Sequence, residues 1–106
     1  MTDLELLDTL YNQWDETQWC QKELALDATG HRVDPWASEA CQWCLMGKLE
    51  AVVETEAQYQ RLLALFEETI GPTYRHSLTI VNDRLGWAFV KAIIGNTIGR
   101  LRPQGR

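Results

Sequence analysis

Apolar residues recur at three- and four-residue intervals along most of this chain, the period of helices that bury one face. Thr2 and Glu5 have capping-box spacing, and Leu7, Leu10, Tyr11 and Trp14 follow on one face, so a first helix opens at Thr2 and runs to about residue 15. Asp15 to Cys20 has no clean period and reads either as a second short helix or as an extension of the first. Leu24 to Val33 is two short stretches around an Asp27-x-x-Gly30 turn, a small β-hairpin that needs a helix beneath it. Asp34-Pro35 then supplies an N-cap and a proline at the first helical position, predicting a helix over about 35–53 with a stripe of Ala37, Ala40, Cys41, Cys44, Leu45, Leu49 and Val52. Gly47 inside it costs about 1 kcal/mol relative to alanine, which points to another element packing closely there.

Thr55 caps a third helix with the most regular face in the chain, Tyr59, Leu62, Leu63, Phe66 and Ile70, stopped by Gly71-Pro72. Tyr74, Leu78 and Val81 share a face of a short helix between Thr73 and Asp83. The last helix, about 86–101, carries Trp87, Val90, Ile94, Ile98 and Leu101 on one side with Phe89 and Ile93 near its edge. The expected fold is mainly α, α+β at most: a compact bundle of about four to five helices with a short β-hairpin near 24–33. At 106 residues it makes a single helical domain over 1–106.

Charge divides the chain in two. Residues 1–56 carry twelve acids and three bases, a net −9; residues 57–106 carry three acids and seven bases, a net +4. The acidic half argues against direct binding to nucleic-acid phosphates, although Arg100, Arg102 and Arg106 could touch an anionic surface. The opening Met-Thr-Asp-Leu-Glu-Leu is acidic where a secretory signal is basic, and no run approaches the roughly 20 apolar residues of a membrane span. The expectation is a cytoplasmic protein, off the membrane, whose cysteines Cys20, Cys41 and Cys44 are reduced thiols.

Ala25-x-Asp27-x-x-Gly30-x-x-Val33, then Ala40-x-x-Trp43-Cys44-x-x-Gly47-x-Leu49, then Asn82-Asp83 together resemble an uncharacterised family of small bacterial and phage proteins, a domain of unknown function. The match spans roughly residues 19–100 and departs at Val81, where the family carries tryptophan. The resemblance implies a compact fold and a bacterial or phage origin; it brings no activity.

Several residue sets could carry chemistry. Cys41-Gln-Trp-Cys44 has redox spacing, but two small residues on a helix stripe are the plainer reading. Cys20, Cys41, Cys44 and His31 or His76 lack the second close ligand pair of a structural zinc site, so neither metal nor cofactor is expected. Cys44 as nucleophile, His76 as base and Asn82 or Asp83 as orienting group would make a small enzyme, though no oxyanion-hole segment is evident. Asp27, Asn82 and Asp83 could line a polar pocket, with turn and helix capping as their alternative work. Gly95-x-x-x-Gly99 allows close helix approach, within the fold or in a homodimer through the C-terminal helix.

Five tryptophans are many for this length, and tryptophan contributes large, rigid contact area at interfaces. Trp14 and Trp87 read as core; Trp36 and Trp43 read as partly exposed. The favoured function is therefore a small non-enzymatic protein-binding modulator, of the size and charge of a phage-encoded inhibitor of host machinery or defence. An acidic front half would steer an as yet unidentified protein partner towards Trp36 and Trp43. The alternative is a small enzyme or ligand binder using Cys44, His76, Asn82 and Asp83.

Overall fold

A reciprocal pair of hydrogen bonds opens the molecule. In the computed structural model, which describes residues 1–71 and 78–102 without the side chains of 79 and 80, Thr2 accepts from the Glu5 N–H and the Glu5 carboxylate accepts from the Thr2 N–H, the capping box read from the sequence. Helix α1 (Asp3–Gln13) stops a little short of residue 15, because Trp14 turns into extended backbone and buries its ring. A single 3-10 turn, Glu16–Gln18, follows. Thr55 caps α3 (Glu56–Ile70), which ends at Gly71, where φ is 77°. Helices α4 (Leu78–Leu85) and α5 (Trp87–Leu101) are separated by Gly86. The first part of the expected 73–83 helix, with Tyr74, lies outside the described residues.

α5 is the hub, packing against α1, α3 and α4. Leu7, Leu62, Phe66, Val81, Val90 and Ile94 are completely buried among these helices. Cutting a side chain of this kind back to alanine costs about 2–5 kcal/mol, from lost transfer energy and the cavity left behind. Gly95 earns its place here, since a Cβ would sit 3.0 Å from the Tyr11 ring; at Gly99 nothing lies within 4 Å. The chain is mainly α with a short β ribbon, as its periodicity requires.

The expected helix over 35–53 is corrected by the structure. Residues 34–40 make two successive turns, Ala37 N–H to Asp34 C=O and Ala40 N–H to Ala37 C=O, and the chain then runs extended through strand β2 (Gln42–Trp43). Helix α2 (Leu45–Val52) begins only there, capped by Cys44, whose Sγ accepts from the Gly47 N–H at 3.3 Å. The proline start signal is overridden because residues 42 and 43 find sheet partners on both sides. Strand β1 (Ala25–Leu26) pairs antiparallel with β2, Ala25 opposite Trp43 and Leu26 opposite Gln42. On the other edge, Trp19 forms a parallel bridge with Trp43, and the Cys20 N–H bonds to the Trp43 carbonyl.

The 24–33 hairpin is present as a turn over Asp27–Gly30 with a single bridge between Leu26 and Arg32. Gly47 explains itself in this setting: a Cβ there would lie 1.9 Å from the Leu24 carbonyl oxygen, so the first turn of α2 lies directly on the backbone leading into β1.

Candidate functional site

Asn82 carries four side-chain hydrogen bonds and is 2% exposed. Its Oδ1 accepts from the Trp19 indole N–H at 2.8 Å and from the Leu45 N–H at 3.0 Å, at the start of α2. Its Nδ2 donates to the Cys20 carbonyl and to Asp83 Oδ1, each at 3.1 Å. Asp83 Oδ1 also takes the Lys22 N–H at 2.7 Å, and Lys22 sits at φ 74°, a left-handed conformation that non-glycine residues seldom adopt. The pair on α4 thus stitches the Trp19–Lys22 segment to α2. With both the amide oxygen and the amide nitrogen of Asn82 engaged, its work is to hold backbone in place.

Asn82, Asp83 and Cys44 nevertheless border one small cleft of about 120 Å³, together with Lys22, Leu24 and Met46. Three of the four residues of the enzyme reading therefore meet, while His76 lies outside the described residues. The thiol chemistry is unfavourable for a nucleophile: burial raises the Cys44 pKa, against smaller lowering by the Gly47 and Met46 amides, and burial pushes Cys20 up to about 12. The volume is well below the roughly 300 Å³ of an ordinary small-molecule site. Among the described residues, no group of three or more His, Cys, Asp or Glu is placed to hold a metal ion.

Asp27 does not line that cleft. Its Oδ1 accepts from the Thr29 and His31 amides, both at 2.9 Å, and from the Thr29 hydroxyl at 2.7 Å, which holds its carboxyl below the ordinary range. This is the turn-closing role.

The two tryptophans expected at a surface part company. Trp36 is 68% exposed at the tip of the 34–40 turns. Trp43 is half-buried: its indole N–H donates to the Pro35 carbonyl at 2.8 Å, and Lys48 Nζ sits 3.9 Å over its ring. Trp43 thereby fixes from behind the loop that presents Trp36. Alongside lies an open cleft of about 580 Å³, lined by Asp34, Pro35 and Ala37 on either side of Trp36, and by Leu24, Arg32 and Lys22 among others. Leu24, 43% exposed, adds apolar surface. Lys22 and Lys48 were not legible as members of this region, because only the ribbon brings them to it.

No family model, curated protein or solved structure matches the chain. The residues that carry the resemblance described above do have physical roles in common. Ala25 and Trp43 pair across the ribbon, Asp27 and Gly30 make its turn, Cys44 caps α2, Gly47 admits the Leu24 backbone, and Asn82-Asp83 close the knot. They specify the ribbon and its seat on α2 and α4. Among the described residues, no helix is long and apolar enough to cross a membrane.

Proposed function

We propose that this chain is a small, non-enzymatic, cytoplasmic protein-binding module that uses Trp36 as its principal anchor. The observation that carries this reading is the exposure of Trp36 on a loop braced by the Trp43–Pro35 hydrogen bond. A large aromatic presented on a pre-ordered loop loses little entropy on binding, and such residues dominate interface energetics. The acidic first half supplies steering towards a basic partner surface. Size, charge and the family resemblance fit a phage or bacterial modulator of other proteins.

The test is affinity capture from the native cell lysate with wild-type and Trp36→Ala protein. A stoichiometric partner retained by the wild type and lost by the variant is expected. Equal retention by both proteins sinks the assignment.

A second reading is favoured by the meeting of Cys44, Asn82 and Asp83 at one cleft: a site for a very small polar ligand. Thermal-shift screening of wild type against Asp83→Asn separates the two, because a ligand held there raises the midpoint of the wild type alone.

A further inference from the structure

The Cys41-x-x-Cys44 spacing suggests a redox pair, yet the ribbon pulls that pair apart. Cys41 and Cys44 flank β2, three residues along extended chain, about 10 Å at strand rise and pointing to opposite faces. A disulfide needs Cα atoms within about 7 Å. Cys44 has another neighbour. Trp19 and Trp43 are bridged in parallel, and the Cys20 N–H bonds to the Trp43 carbonyl at 3.1 Å. Cys20 and Cys44 are each the next residue along from this bridged pair, which brings their backbones side by side. Neighbouring strands lie about 4.8 Å apart, inside the span a disulfide bridges.

The two thiols are alike in setting, at 8% and 9% exposed, while Cys41 is less deeply buried. Cys44 borders the small cleft, so a reagent the size of water or peroxide can reach it. Their proximity is also felt electrostatically: after burial, charge on Cys44 is the largest influence raising the Cys20 thiol.

We propose that Cys20 and Cys44 are a modification site: a dithiol that a hydroperoxide converts to a reversible disulfide, clipping the Trp19–Lys22 segment to the start of α2. The Cys44 thiolate attacks the peroxide O–O bond; an S–O bond forms, the O–O bond breaks, and the departing hydroxide takes a proton to become water. The Cys20 sulfur then attacks the Cys44 sulfur, forming the S–S bond, breaking the S–O bond and releasing a second water. Both sulfurs are oxidised, the peroxide oxygens are reduced, and the two thiol protons end in water. Because burial raises both thiols, the reaction is slow at neutral pH and accelerates as pH rises.

The experiment treats the folded wild-type protein with hydrogen peroxide and reads intact mass and a non-reducing peptide map. The expected product has lost two hydrogens, regains them with a thiol reductant, and yields a peptide joining Cys20 to Cys44. Cys41→Ser keeps this product, and Cys20→Ser replaces it with a Cys44 sulfenic acid trapped by dimedone. A bridge mapped to Cys41 overturns the proposal. So does sulfinic acid without any bridge, or a folded chain that forms none under conditions where the urea-unfolded chain does. The decisive reading is made on the wild type, so a variant that fails to fold leaves the test intact.

Discussion

Helices α1, α3, α4 and α5 meet through leucine, isoleucine, valine and phenylalanine side chains, whereas between Trp14 and Cys44 the buried residues are just Trp14, Cys20, Ala25, Pro35 and Cys44. That second region is short of apolar burial and depends on directed bonds: sheet pairing, the Asp27 turn and the grip of Asn82 and Asp83. The difference teaches where each region fails. An apolar core loses stability in proportion to the volume removed, while a hydrogen-bonded knot fails when one multivalent side chain is lost.

Phe66→Ala should give the largest effect, about 3–5 kcal/mol, because Phe66 is fully buried at the meeting of the helices. Urea unfolding should show one earlier transition, with all regions lost together. Asn82→Ala removes much less volume yet should cost about 2–4 kcal/mol, since it strands the Trp19 indole N–H, the Leu45 N–H and the Cys20 carbonyl. Its signature is local: amide exchange at Cys20, Val33 and Cys44 should accelerate well before that of α5. Equal acceleration in both regions would mean that ribbon and bundle are one cooperative unit and that the comparison is wrong.

Gly47→Ala sharpens the comparison from the other side. The added methyl collides with the Leu24 carbonyl oxygen, which is backbone and cannot swing away, so the first turn of α2 and the entry to β1 must separate. A cost of about 1–3 kcal/mol is expected by chemical denaturation, against the slight gain alanine brings to an unobstructed helix. Stability equal to or above wild type would show that the contact is soft.

The same division decides what could be read from the sequence. Helices α1, α3 and α5 were legible because their faces repeat at the helical period, and α1 and α3 also because their ends carry caps, Thr2, Thr55 and Gly71, that act locally. The close packing at Gly47 was legible too, from its helix-breaking cost. The 35–53 helix was misread because Asp34-Pro35 is a local signal, while the extended conformation of Gln42 and Trp43 is set by partners at residues 19, 25 and 26. Asn82 could be read as a cap but not as a hub, since three of its four partners, Trp19, Cys20 and Leu45, come from two other segments of the chain. Of the surface, Trp36 and Trp43 were marked alike, Trp36 by its place beside Pro35 and Trp43 by lying off the Cys41/Cys44 stripe; the half-burial of Trp43 depends on Pro35 and Lys48, which the sequence does not show as its neighbours.

The smallest effect concerns a place where the bundle borrows the ribbon's kind of bond. Arg61 on α3 donates twice to Asp3 on α1, at 3.0 Å through both Nε and Nη2, and buried Gln58 adds a third donor at 3.1 Å. The guanidinium, and then the Gln58 amide, hold the Asp3 carboxyl below its ordinary 3.8 against the opposing effect of burial. A lowered carboxyl contributes stability that is complete above the unfolded-state pKa and is lost as pH falls through the folded one. Arg61 is more than half exposed, so Arg61→Gln should cost less at pH 7 than any substitution above, and less still in high salt. The gap between wild type and variant should stay constant down to about pH 5 and close steadily below pH 3.8. A gap that persists in acid would place the value of Arg61 in the packing of its stem against α1, leaving the bundle apolar even at this seam.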